Sequence, residues 1–322
     1  MPFKIDSVRV ALPPLKIGEP VVKNEQVAAY RDYYGIDFEN QIPGLSASLG
    51  TIDVVGYSLV VHVFMPVKPK GTVFVMHGYY DHVGIYDHLI EYLLQQGYAV
   101  ISYDLPGHGL TTGDLVAIPD FHRYQVVFKT VIEYVANDLP GPWHLVGQST
   151  GAAIIIDYLA SNPIKDQCPF QNVVLLAPLI RPRNWGLNKK LHAIMSLVKN
   201  YATRKFSLNS HDASFLHFLS LRDPLQSRFL SGQWVTALKK WVPKIESSRP
   251  VPYSPLIIQG QLDGTVQWEN NLLVLKRVFS SPEIVYFPRM RHQVVNEHVS
   301  IRNEVFAMVG RHLARACTGC NG

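Results

Sequence analysis

The stretch His144-Leu145-Val146-Gly147-Gln148-Ser149-Thr150-Gly151-Ala152-Ala153-Ile154-Ile155-Ile156-Asp157-Tyr158-Leu159 places a serine between two glycines, with a short apolar run before them and a longer one after. The spacing predicts a strand over His144 to Val146 and a helix over Ala153 to Leu159. A G-x-S-x-G turn in that setting is a nucleophile elbow, in which the serine is held up at the carboxyl edge of a sheet. The turn is so tight that a Cβ at Gly147 or Gly151 would collide with neighbouring backbone, so glycine is required at both. The five-residue pattern alone arises in ordinary turns; the strand before it and the helix after it raise it to a candidate site.

A serine hydroxyl is a weak nucleophile at neutral pH, so the elbow calls for a histidine base and an acid to orient it, in the chain order serine, acid, histidine. Asp263 follows Leu256-Ile257-Ile258-Gln259-Gly260-Gln261-Leu262, just past a predicted strand end, and His292 closes Pro288-Arg289-Met290-Arg291-His292 after the last predicted strand. His298 suits a helix cap better, and Asp104 precedes the serine and breaks the order. Oxyanion donors are expected from the backbone N–H of Thr150, the residue after the nucleophile, and of Tyr79 in the loop Met76-His77-Gly78-Tyr79-Tyr80-Asp81-His82. Asp81 and His82 read as part of a solvated loop, and loop roles outweigh direct catalysis for His82 and His108.

Working outward, short apolar runs alternate with helical periodicity, the pattern of a mostly parallel sheet with crossover helices. Leu59 to Phe64, Thr72 to Met76, Ala99 to Tyr103, Val173 to Leu176 and Leu256 to Ile258 are predicted strands. Thr51 to Val55 starts the sheet and Ile284 to Phe287 ends it, giving eight strands in all. Apolar residues at three-and-four spacing predict helices around Tyr86 to Leu94, Phe121 to Val135, Trp268 to Phe279 and Ile301 to Val309. The core is expected over 48–180 and 253–316. Residues 1–47, with Tyr30, Tyr33, Tyr34 and Phe38, form an extension packed on it. The segment 181–252 shows no clear strand and reads as an inserted helical cap, and 317–322 as a tail.

The 322 residues carry a formal net charge of +5, yet 13 Lys and Arg against 3 Asp and Glu fall between Arg181 and Pro252, leaving 17 basic and 22 acidic residues elsewhere. That basic insertion would draw anionic head groups or an anionic membrane surface towards the site, although the same lysines and arginines would equally solvate its outer face. The charge is dispersed and no nucleic-acid module accompanies it, so no nucleic acid is expected as a partner. No apolar run reaches the length of a membrane span, Met1 to Pro20 lacks the uninterrupted apolar core of a secretory signal, and three cysteines suit a reducing compartment. A cytoplasmic location, peripheral to the membrane at most, is the expectation. Cys317-Thr318-Gly319-Cys320 has redox spacing but reads as a frayed tail. Neither a metal site nor a dinucleotide or phosphate loop has its ligands here, and no cofactor is expected.

With His77-Gly78, Asp104-Leu105-Pro106-Gly107-His108-Gly109, Gly147-Gln148-Ser149-Thr150-Gly151, Asp263 and His292 in place, the chain resembles the monoacylglycerol lipase and lysophospholipase branch of the α/β-hydrolases over roughly residues 50 to 315. Asn296-Glu297 after the histidine fit that branch too. The resemblance implies the α/β-hydrolase fold, a cap over the site and hydrolysis of a small single-chain acyl ester. The sequence departs from the branch at the elbow, where Gln148 and Thr150 replace the more frequent His and Met, and at the bulky pair Tyr79-Tyr80. Prolyl-type aminopeptidases and thioester hydrolases share the fold. An aminopeptidase needs acidic residues near the mouth for a free amine, and the insertion offers only Asp212, Asp223 and Glu246. A non-catalytic binding protein on the same scaffold would have no need of the three residues in order.

Overall fold

The computed structural model describes residues 2–164, 168–186, 201–204 and 206–315. Its centre is an eight-stranded sheet in the order β1-β2-β4-β3-β5-β6-β9-β10. The strands are β1 (Ser46–Val54), β2 (Tyr57–Met65), β3 (Thr72–Met76), β4 (Ala99–Tyr103), β5 (Trp143–Gln148), β6 (Phe170–Leu176), β9 (Leu256–Gly260) and β10 (Glu283–Phe287). β2 runs antiparallel to both β1 and β4, and every other pairing is parallel. Thus the mostly parallel sheet expected from the alternation is present, with β1 and β10 as its edges.

Strand periodicity sorts the core into two layers. Phe74 and Met76 of β3 join one cluster while Val73 and Val75 join the other, because successive side chains on a strand point to opposite faces. The first layer holds α4 (His122–Val135), α5 (Thr150–Ser161), α7 (Gly232–Glu246) and α8 (Trp268–Val278), with Phe74, Phe128 and Phe170 in edge and stacked contacts. The second holds α1 (Ile5–Ala11), α2 (Glu25–Tyr34), α3 (Asp87–Gln95) and α9 (Val299–Leu313). The N-terminal residues therefore build part of one layer: Tyr30, Tyr34 and Phe38 are buried there, and Pro13 and Leu15 bond to Thr51 along the open edge of β1. Such an edge otherwise presents unpaired backbone groups.

Three expectations need correcting. The first strand begins at Ser46, so the boundary drawn at residue 47 falls inside it, and Val55 lies in the β1–β2 turn at φ +43°. The segment 181–252 does contain strands: β7 (Tyr201–Thr203) and β8 (Phe229–Ser231) pair antiparallel, beside α6 (Ala213–His217) and α7. Three-residue strands carry no alternation long enough to register in the sequence. Asp81 and His82 are fully buried rather than solvated. The predicted helix content at Leu191, Ile194, Met195 and Val198 and the Cys317–Cys320 tail lie outside the described residues.

Candidate active site

β5 sits between β3 and β6 in the middle of the sheet, and its carboxyl end delivers Ser149 at φ +53°, ψ −110°, a conformation non-glycine residues rarely adopt. Strain of this kind costs roughly 1–3 kcal/mol and persists where surrounding structure enforces it. Here α5 starts at the next residue, and a Cβ on Gly151 would lie 2.2 Å from the Met76 carbonyl oxygen, while one on Gly147 would lie 2.8 Å from the Ala152 nitrogen. The elbow is thus clamped between its own helix and the end of β3.

Ser149 Oγ lies 3.0 Å from His292 Nε2, and His292 Nδ1 lies 2.7 Å from Asp263 Oδ2. The loops that bring them together are tied backbone to backbone, Gln261 N–H to Phe287 O and Leu262 N–H to Met290 O, both at 3.0 Å. Asp263 Oδ1 accepts from the N–H groups of Thr265 and Val266 at 2.8 and 3.1 Å, and Gln259 Nε2 donates to Oδ2 at 3.1 Å. Burial alone would raise this carboxyl; the His292 ring and these hydrogen bonds outweigh it and hold Asp263 below its ordinary value. For His292 burial works downward, and the Asp263 charge and hydrogen bond win, so the imidazole sits above its ordinary value.

A cavity of about 290 Å³ opens on Ser149 and His292, lined also by Tyr79, Thr150, Leu179 and Trp234. Thr150 is the first residue of α5, where an N–H has no partner within the helix. The Gly78 N–H is taken by Tyr86 Oη at 2.9 Å, and Tyr79, the next residue, lines the cavity. The bulk of Tyr79 has its own use. Its ring stacks on Trp234 at 3.9 Å between centroids, and its hydroxyl donates to Val116 O and accepts from Ser231 N–H, so the loop after β3 supports the start of α7.

The set-aside residues have structural posts. His298 caps α9 by accepting from Ser300 N–H. Asp104 accepts from Val83 N–H and Leu110 N–H at 2.8 and 2.7 Å, away from His292. His77 Nε2 accepts from Leu105 N–H at 2.8 Å, and His108 Nδ1 donates to Pro106 O; burial holds both neutral, His108 at about 4. Glu297 collects the N–H groups of Arg291, His211 and His298, fixing the loop that carries His292.

A polar network that motif reading missed joins the three loops around Ser149. Gln148 Nε2 donates to Gln293 Oε1 at 2.8 Å, Gln293 Nε2 to Asp81 Oδ1 at 3.0 Å, and Tyr86 Oη to Asp81 Oδ2 at 3.0 Å. Gln148 thereby meets a partner, Gln293, that lies 145 residues away in sequence.

Among the described residues no group of three or more His, Cys, Asp or Glu is placed to hold a metal ion, and no helix is long and apolar enough to cross a membrane. Compared with known proteins, the chain matches the family model described as serine aminopeptidase, S33, over residues 67–299. The monoglyceride lipase of Rattus norvegicus is 32% identical over 268 residues, 78% of this chain and 86% of the relative, and that of Mus musculus 28% identical with the same coverage. Among solved structures, a soluble variant of Saccharomyces cerevisiae monoglyceride lipase superposes with a TM-score of 0.69 at 19% identity, covering 83% of this chain and 94% of that one. The Paleococcus ferrophilus monoacylglycerol lipase gives 0.67 at 18% identity, over 81% and 98%. On a family match across most of its length and a relative this similar, the chain belongs to the serine aminopeptidase S33 family of α/β-hydrolases, alongside the monoglyceride lipases, and is a hydrolase of the esterase and lipase type.

Proposed function

We propose that the chain hydrolyses single-chain acyl esters, of monoacylglycerol or lysophospholipid type, through a Ser149, His292, Asp263 triad and an acyl-enzyme. The observation that carries this is the unbroken run of contacts from Ser149 Oγ to His292 Nε2 at 3.0 Å and from His292 Nδ1 to Asp263 at 2.7 Å, opening on a cavity. Ser149 Oγ attacks the ester carbonyl while His292 Nε2 takes its proton, and Asp263 fixes the ring and stabilises the imidazolium. The N–H groups of Thr150 and Tyr79 hold the oxyanion; losing one such donor typically costs about 10²- to 10³-fold in turnover. His292 then hands the proton to the departing alkoxide, which leaves as the alcohol. Water, deprotonated by His292, releases the acid and restores the serine.

The amide alternative draws less support. Asp212 caps α6 through Phe215 N–H, Glu246 pairs with Arg181, and Asp223 is buried against His82 and Tyr34. Asp81 lines the cavity, but both its oxygens already accept hydrogen bonds. None is placed to greet a free amine. In this reading 181–252 serves as the lid, and its excess of basic residues favours an approach to anionic surfaces. A fluorophosphonate probe should label Ser149 and fail on Ser149→Ala, and p-nitrophenyl esters should turn over faster than an amino-acid anilide. An unlabelled wild type, or faster anilide cleavage, would overturn the proposal.

A further inference from the structure

Arg204 stands in the wall of the same cavity as Ser149 and His292. Its backbone N–H bonds to Arg228 O at 2.9 Å, extending the β7–β8 pair. Its guanidinium lies 3.8 Å from the centroid of Tyr80 and 4.5 Å from that of Phe206, in cation–π contact with both rings. Nη1 donates to Gln226 Oε1 and to Ser227 O. All of these partners are neutral.

Other shielded arginines of this chain are matched differently. Arg31 pairs with Glu39 and Arg181 with Glu246, whereas among the described residues no carboxylate forms an ion pair with Arg204. Asp81, on the same wall, spends its oxygens on Gln293 and Tyr86. Burial pushes the Arg204 guanidinium down from its ordinary value, and the nearby Tyr80, Asp81 and Asp223 groups, which pull it back up, do not outweigh that burial. Withdrawing a cation costs several kcal/mol unless an anion answers it. Around it the lining is polar: Thr203, Ser207 and Asn209 come from the same stretch, and the Asn209 amide oxygen is buried without a partner among the described residues.

We infer that Arg204 is a substrate-binding residue that takes an anionic group, phosphate or carboxylate, on the polar half of the ester, with Asn209 accepting from a neighbouring hydroxyl. A guanidinium in contact with two rings presents its remaining N–H donors as a fork, the geometry that suits oxyanions better than an ammonium would. The inference rests on the ester-hydrolase reading above and narrows it, from single-chain esters in general to those carrying a negative charge near the ester.

The test uses three lauroyl esters: 1-lauroylglycerol, 1-lauroylglycerol 3-phosphate and the lauroyl ester of glyceric acid. The wild type should show a higher kcat/KM on at least one charged ester than on the neutral one, through KM, and whichever charged ester leads identifies the anion. Arg204→Gln should lower kcat/KM on that ester about 10- to 100-fold and leave the neutral ester nearly unchanged; Arg204→Lys should restore part of it. A merely structural arginine would affect all three alike, and that result, or a wild type with no preference for charge, would overturn the inference. Should Arg204→Gln fold poorly, Arg204→Lys decides instead: a loss confined to the charged ester supports the inference, and an equal loss on all three overturns it. Cleavage of none of the three esters, with Ser149 still labelled, would instead sink the ester reading beneath it.

Discussion

Among the described residues two buried His–Asp pairs stand apart, His292 Nδ1 with Asp263 at 2.7 Å and His82 Nε2 with Asp223 at 3.0 Å. In both, burial alone would favour the neutral forms; the partner's charge and hydrogen bond overcome it, raising each imidazole and lowering each carboxyl. They differ at the second ring nitrogen. His292 Nε2 meets the Ser149 hydroxyl, whereas His82 Nδ1 is buried without a partner among the described residues. They differ also in the second carboxylate oxygen. Asp263 Oδ1 accepts two backbone N–H groups of its own loop, while Asp223 Oδ1 accepts one, from Leu225 at 3.0 Å, together with the Tyr34 hydroxyl at 2.7 Å from the N-terminal helix α2. Tyr33 adds a hydrogen bond to Arg222 O, and Phe218 packs against both tyrosines. In the proposed reaction an identical pair of residue types thus serves as a proton relay where a hydroxyl and a cavity adjoin it, and elsewhere as a buried link between the extension and the insertion.

Breaking the two pairs should separate their roles in turnover. Ser149→Ala should cut kcat by about 10⁴- to 10⁶-fold with a thermal unfolding midpoint near that of the wild type, and Asp263→Asn by about 10⁴-fold, as tautomer control is lost, together with the stability that breaking a buried pair costs. Asp223→Asn should leave kcat within a small factor. If it lowered kcat as far as Asp263→Asn does, the two pairs would not divide as described. Its own effect belongs to stability: removing one partner of a buried pair costs about 3–5 kcal/mol, to be read from denaturant unfolding.

The pH dependence sharpens the contrast. His292 must be neutral to accept the serine proton, and its value is raised above the ordinary 6.5, so kcat/KM should climb with pH along a limb centred above 6.5. Asp263→Asn should move the residual limb to lower pH and Asp223→Asn should not. For stability, the raised His82 contributes fully below 6.5 and fades as pH rises through its folded value, and the lowered Asp223 contributes above 3.8 and fades as pH falls through its folded value. The gap in unfolding free energy between the wild type and Asp223→Asn should be widest between 3.8 and 6.5 and shrink at alkaline pH. A gap that widens with pH would contradict the pairing. The smallest expected effect is that of Tyr34→Phe, about 1 kcal/mol for one hydrogen bond, with no change in the pH–rate profile.

Some features carry a local signal: Ser149 and its flanking glycines form one contiguous motif, and Asp263 and His292 each follow a strand whose apolar run announces it. The burial of Asp81 and His82 carries none, because what covers them is Tyr34, Asp223 and Gln293, distant in the chain. The side-chain role of Tyr79 was hidden for the same reason, since Trp234 lies 155 positions further on. Arg204 showed in the sequence only as one of 13 basic residues of the insertion.

By itself the sequence determined the layered α/β sheet and the serine at its elbow, because strand and helix periods and a glycine-framed turn are enforced by neighbours a few residues away. Only the tertiary structure decided which of two His–Asp pairs faces that serine and where Arg204 enters the cavity. The Ser149–His292 and His82–Asp223 contacts join residues more than a hundred positions apart, and such closeness follows from how whole layers pack, which no short-range pattern encodes.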